Sequence, residues 1–447
     1  MKDLMNNLRN KKNIILSIAC TLLLTVSMLI YTDQYRKFPV FQNEVITIGV
    51  FSDSYWEVQN GYSYQILEDE IKTFEDMHPD VKVEYVSGIL KEDYSEWLSE
   101  QLVMGSAPDV FFVLSEDFND FSEIGALKEL TSFIEQDGEF QKESFYSSAY
   151  AHGQYDGTQF SLPYECAPKL MFINKSILDK EGLKIPDESW TWEDFYEICK
   201  TVTKDTNKDG IKDQFGVVGY SWEDAFESNG VKLFDQRGTE CYLADDRVES
   251  AIVFLEKLDE LSSGQNATTR DFDLGNVVFQ PMSFSEYRAY KPYPLSIKKY
   301  SSFEWGCIPM PSGPEGENIS TLDTLMVAMN AKTQKPEYAW ELMKVLTCDK
   351  QIQAEIFEYS EGVSVLREVT ESGEMVQNLE DSNSLNFQIL GDVIENAVIT
   401  PRFKNYDEAM EKVDRAVHTI MEGNSNISME QIIWNREINK YLKNSDQ

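Results

Sequence analysis

Between residues 45 and 114 short β-rich runs alternate with amphipathic stretches, a pattern few folds can accommodate. Residues 45–51 form the first β-rich run. Leu67, Ile71 and Phe74 then recur at helical spacing, and His78-Pro79 ends that helix. Val81, Val83 and Tyr85 alternate as a strand, and Trp97, Leu98 and Leu102 mark a second helix over residues 94–104. Pro108-Asp109 introduces residues 110–114, a continuous apolar run suited to a strand buried on both faces. Strand, helix, strand, helix, strand predicts an open α/β sheet. Ligands of such sheets sit outside the carboxyl ends of the strands. That directs attention to residues 52–56 and 115–117.

The stretch 157–174, GTQFSLPYECAPKLMFIN, has a different character. A turn pair, Asp156-Gly157, precedes it, Leu162-Pro163 follows, and Tyr164-Glu165 interrupts it before the apolar residues 170–173. Proline has no N–H for a ladder, which argues against a central strand position. An extended segment that is polar in its middle suits a crossing between domains, with a phenol and a carboxylate at a cleft. At 447 residues the chain is long enough for two or three domains of ~150 residues.

Downstream, Thr191 with Asp194 signals a capped helix whose stripe is Trp192, Phe195, Cys199 and Val202. Residues 248–261 are helical, 277–284 strand-like, 305–311 extended, 324–329 a strand and 336–346 a helix. The last hundred residues are mostly helical, with Met410, Val413, Val417 and Ile420 at 3/4 spacing.

Charge excludes one large class of partner. Against 77 acidic residues stand 40 basic ones, a net charge of -37, and nucleic acid needs a basic footprint. Charge of one sign also favours a soluble, monomeric ectodomain. At the N-terminus Lys2, Arg9, Lys11 and Lys12 precede an uncharged apolar run at 14–31, which predicts export. The run is near the lower limit of the ~20 residues that span a bilayer, so it reads as signal peptide or transmembrane anchor. Basic residues on its N-terminal side place the bulk of the chain outside. Cys20 after Ser17-Ile18-Ala19 is the lipoprotein alternative, although the apolar run continues past it. Residues 32–43 form a polar tether. The six cysteines show no CxxC spacing, so no zinc or haem site is signalled and buried thiols are expected.

Several pieces in order resemble the extracellular solute-binding proteins of bacterial ABC importers, family 1, the carbohydrate binders related to maltose-binding protein. They are Phe74-Glu75-Asp76-Met77-His78-Pro79-Asp80-Val81-Lys82-Val83, Ala107-Pro108-Asp109-Val110-Phe111, Leu162-Pro163 with Phe172-Ile173-Asn174, and Ser189-Trp190-Thr191-Trp192-Glu193-Asp194-Phe195. Trp305-Gly306-Cys307-Ile308-Pro309-Met310-Pro311 and residues 336–351 complete the set, and the resemblance spans about residues 45–442. It implies an α/β, two-lobe periplasmic-binding-protein-like fold (type II) with hinge crossings and a helical C-terminal region. The crossings are expected in 157–174, near 305–311 and near 345–351. The implied plan is 1–43 for export and tether, 44–159 first lobe, 160–305 second lobe, 306–348 return to the first, and 349–447 second-lobe helices. Two departures stand out: no Gly at Thr321-Leu322-Asp323-Thr324, and Ser283-Phe284-Ser285-Glu286-Tyr287 where a small residue plus an aromatic is usual.

The resemblance implies a substrate-binding component of an ABC importer that closes on a carbohydrate, with permease subunits as partners. A ligand sensor serving a membrane signalling partner is the alternative, and a glycoside-acting enzyme the third reading. Sugars present an apolar face and a rim of hydroxyls, so aromatic planes and carboxylates must converge. Candidates are Asp53, Tyr55 and Trp56 on the first loop, Glu116, and Tyr164 and Glu165 at the crossing. Trp222, Tyr287 and either Phe403 or Tyr406 could add walls. A calcium loop is a separate expectation. Asp205, Asn207, Asp209, the Ile211 carbonyl and Asp213 occupy alternate positions with Gly210 at the sixth. Gly216 stands where a bidentate Glu closes an EF-hand, so Glu193 or Asp194 would complete the shell; an ion-free polar turn is the other reading. No catalysis is signalled. The 3 histidines (His78, His152, His418) lie far apart, with neither a G-x-S-x-G elbow nor an HExxH.

Overall fold

The computed structural model describes residues 44–56, 62–290, 303–373, 387–423 and 426–445. The apolar run 14–31 with Cys20, and the side chain of Tyr287, lie outside the described residues. Among the described residues no helix is long and apolar enough to cross a membrane. Strands β1 (Glu44–Gly49), β2 (Val81–Tyr85) and β3 (Val110–Val113) run parallel, with β1 between the other two. The helices Ser63–Met77 and Lys91–Met104 connect them, as the periodicity predicts, and the second stops at Gly105 with φ 71. A tight hairpin, β4 (Gln154–Tyr155) and β5 (Thr158–Gln159), turns at Asp156 and Gly157, both with positive φ.

Next comes β6 (Ser161–Asn174), the spine of the molecule. Beyond it lie β7 (Phe215–Val217), β8 (Val277–Ser283), β9 (Trp305–Ile308), β10 (Leu322–Met329) and β11 (Val363–Ser364). The sheet order is β2-β1-β3-β10-β6-β8-β7, with β9 and β11 also on β6. Residues 161–168 of β6 pair with β10, whereas its later residues pair with β8 and β9. One strand thus serves two sheets. Contrary to the expectation from Pro163, β6 is central. The pairing shifts between Glu165↔Leu325 and Pro163↔Met326, leaving Tyr164 as an extra residue. Such a bulge is a place where a strand tolerates proline.

Two hydrophobic cores flank this spine. The first holds Ile46, Phe74, Leu98, Phe111, Met326 and Leu346, and continues under the second sheet through Phe172 and Phe284. The second holds Met171, Trp190, Phe195, Phe226, Ile252, Phe279 and Val413. The second core belongs to the second lobe, and the first fills the first lobe and reaches under the second sheet. The described residues 350–373 and 387–395 do not join the second lobe as expected: Ile352, Ile356, Val363, Leu390 and Ile394 pack in the first core. The chain therefore leaves the first lobe for the last time at 396–402, not at 345–351. Residues 305–311 are likewise not a crossing, because β9 pairs with β6 and Ile308 and Met310 lie in the second core. The three passages meet at one node. Lys169 N donates to Thr321 O at 3.1 Å, Val398 N to Ser320 O at 2.9 Å, and Ser320 Oγ to Lys169 O at 2.6 Å.

Candidate functional site

The loop after β1 and the start of the helix Ser115–Glu123 meet at the first lobe's edge. Tyr55 shares a 3.2 Å hydrogen bond with Ser115 Oγ, rests edge-on against Trp56 at 4.6 Å, and carries Lys91 Nζ 4.8 Å over its ring. Burial pushes its phenol far above the ordinary value, helped by the charges of Asp323 and Glu116, so it stays a neutral donor. Glu116 is exposed beside it. Asp53 accepts Lys91 N at 2.7 Å, at the N-terminus of the helix Lys91–Met104. A carboxylate there suits the helix dipole, so Asp53 holds the loop to the scaffold.

Tyr164 and Glu165 lie inside the first lobe. Tyr164 OH donates to Glu70 Oε1 at 2.7 Å and its ring packs 4.8 Å from Phe112. Glu165 is 4 % exposed, and its Oε2 accepts the Ser360 hydroxyl. Both line a narrow cavity of about 50 Å³ with Glu70 and Glu361. Asp53 and Tyr55 line the same cavity, so the structure brings them together with Tyr164 and Glu165, while Glu116 stands outside that lining.

Between the lobes lies a cavity of about 770 Å³. The hairpin residues Asp156 and Gly157 wall one side, Trp222, Phe226, Glu227 and Phe234 the other, and residues 396–402 with Tyr406 close it. A capping box of Ser221 and Asp224 starts the helix Trp222–Ser228, and Trp222 Nε1 donates to Asp414 Oδ1 at 3.1 Å. Phe403 is a core residue, packed 5.4 Å from Phe234 and 5.3 Å from Tyr406. Gly238, with φ +66, makes room for it: a Cβ there would lie 2.1 Å from the Phe403 ring.

Charged groups gather where cavity and hinge meet. Lys169 Nζ lies 2.5 Å from Asp224 Oδ1, with side chains 28% and 1% exposed. Burial opposes charge on Lys169, but Asp224 outweighs it and holds the ammonium above its usual range. Glu227 is pushed up to about 8, by burial first and then by Asp224. At neutral pH it is therefore a neutral acid, able to donate and to accept. Arg402 leans over Phe118, Nη1 donates to Ser115 O at 3.3 Å, and its buried Nε has no hydrogen-bond partner among the described residues. Asp323 stands exposed on the same floor. Protein around it removes enough water to raise its carboxyl, against the pull of Lys169 and Lys91. Lys169, Asp224, Glu227, Asp323 and Arg402 were not among the sequence candidates. Two carried a visible signal: Lys169 is a lone cation within the apolar end of β6, and Asp323 a lone acid in β10.

The calcium expectation finds no support. Asp205 accepts Lys208 N at 2.6 Å and Gly210 N at 2.7 Å, Asn207 accepts Asp209 N at 2.9 Å, and Asp209 accepts Ile211 N at 2.8 Å. Asp213 accepts Thr206 N at 2.7 Å. The loop's oxygens thus serve its own amides, and Asp194 is tied to Thr191 in a capping box. Among the described residues no three His, Cys, Asp or Glu side chains are placed to hold a metal. His152 is buried, and burial followed by the Arg402 charge drives its ring down to about 3, so it stays neutral.

The family model "Bacterial extracellular solute-binding protein" matches residues 59–353. The chain belongs to that family. Its members are extracellular binding proteins. An uncharacterized lipoprotein of Streptomyces antibioticus is 24% identical over 59% of this chain and 59% of its own length, so the match spans under two thirds of that relative. A maltotriose-binding protein of Pyrococcus abyssi is 20% identical over 87% of this chain and 82% of its own. The fold matches a substrate-binding protein from Listeria monocytogenes in complex with cycloalternan, with TM-score 0.68, 19% identity, and coverage of 90% of this chain and 100% of that one.

Proposed function

We infer that this solute-binding protein is the extracellular ligand-binding component of an ABC-type importer, and that its ligand is an oligosaccharide held between the lobes. The observation that carries this is the cavity of about 770 Å³, whose walls combine Trp222, Phe226, Phe234 and Tyr406 with Glu227 and Arg402. Aromatic planes suit the apolar faces of sugar rings, and the neutral acid and the guanidinium suit hydroxyls. The volume lies within the range of small-molecule sites, ~300–1,000 Å³. The maltotriose-binding relative and the cycloalternan complex support the choice of ligand class. The ligand binds the closed form better than the open one, which drives closure, and the closed form engages permease subunits. The run 14–31 anchors a monomeric ectodomain to the outer membrane surface.

Calorimetric titration of the protein with α- and β-linked oligosaccharides tests the reading. Binding of one class without release of product supports it. Binding that survives Trp222→Ala together with Tyr406→Ala, or glycan turnover, refutes it.

A further inference from the structure

We propose that Lys169 sets the balance between open and closed lobes by holding one ammonium between a carboxylate of each lobe. Its backbone sits at the hinge node, joined to Thr321 and Ser320, where the passages converge. Its side chain reaches Asp224 of the second lobe at 2.5 Å. The register carries the argument to the other lobe. Asp323 pairs with Ala167, and Lys169 is two residues further along the same strand, so both side chains leave the same sheet face as diagonal neighbours. Glu223 adds its charge from the second-lobe helix, and Lys91 from the first lobe. Carboxylates on opposite banks, Asp224 and Asp323, thus face the one ammonium of Lys169, which sits where the lobes rotate. Without it, Asp224 and Asp323 repel across the floor and the lobes spread. Lys169 is a positioning residue: it sets the fraction of molecules ready to close, and apparent affinity scales with that fraction.

The inference rests on the closing-cleft reading, but its test needs no ligand. Spin labels at Val103→Cys in the first lobe and Ile211→Cys in the second, both well exposed, report interlobe distance in the full chain in detergent, with Cys20 and Cys348 replaced by Ser. Lys169→Met should lengthen the mean distance by several ångströms and Lys169→Arg should preserve it. Adding Asp323→Asn to Lys169→Met should bring the distance back. Identical distances in wild type and Lys169→Met overturn the proposal, as does a lengthening that Asp323→Asn leaves in place. If Lys169→Met does not fold, Asp323→Asn alone is decisive: with Lys169 in place it removes the first-lobe tie, so a longer distance supports the proposal and an unchanged or shorter one overturns it. Failure of every sugar to bind would refute the functional reading and leave the distance result standing.

Discussion

Two sets of three carboxyl groups, both centred near β6, are handled in opposite ways. Glu70, Glu165 and Glu361 are sealed in the first lobe, each under 5 % exposed, and meet hydroxyls: Tyr164 OH, Ser360 Oγ and Ser54 Oγ. Asp224, Glu227 and Asp323 surround Lys169 on the cleft floor and come from both lobes. Protons and hydroxyls neutralise the sealed set, which suits groups that never separate. In the second set Glu227 keeps its own proton and the Lys169 ammonium neutralises Asp224 and Asp323, whose separation changes when the lobes turn. A scaffold acid and a site acid are distinguished by what neutralises them.

Breaking the ion pair should give the largest effect. Asp224→Ala strands the half-buried Lys169 ammonium and removes the helix cap, and should lower stability by ~2–4 kcal/mol in urea unfolding. If Asp224→Ala unfolds like wild type, the floor is not held by this pair. Glu165→Ala comes next. It leaves the Ser360 hydroxyl without its acceptor and should cost ~1–3 kcal/mol, with sugar affinity within about threefold of wild type. A large affinity loss at full stability would move Glu165 from the scaffold to the site.

The sealed set also predicts a pH dependence. Burial raises Glu70 to about 8 and Glu361 to about 7, above their ordinary 4.5. The folded protein holds protons that the unfolded chain releases. That contribution is full below the ordinary value and is lost as pH rises through 7 to 8. Thermal melts should therefore show Tm falling from about pH 6 to about pH 8.5, and Glu70→Gln should flatten the slope. A slope unchanged by Glu70→Gln would mean that this carboxyl is ionised when folded. The smallest effect expected is from calcium. With the oxygens of the 205–213 loop already on its own amides, excess calcium after chelator treatment should leave Tm unchanged. A rise would show that the loop reorganises around an ion.

The contrast between the carboxylate sets also marks what could be read in advance. Helical and strand periodicity placed Ser63–Met77, Lys91–Met104, Trp192–Val202 and β3 closely, because a buried face repeats at the period of its own element. The turn at Asp156-Gly157 was legible for a similarly local reason. Tyr164 and Glu165 were found, but their hydrogen-bond partners Glu70 and Ser360 were not. A polar pair within an apolar strand fits a cleft lining and a sealed hydroxyl network equally well.

By itself the sequence determined the α/β alternation, the special status of 157–174 and the family resemblance, all of which depend on short stretches and their order. Only the tertiary structure decided that one strand spans both sheets, that residues 350–373 and 387–395 return to the first lobe, and that Lys169 meets Asp224. The physical reason is that a pattern along the chain records which side chains avoid water. Which partners they find depends on how distant segments pack, and one buried charge looks like another until its neighbour is in place.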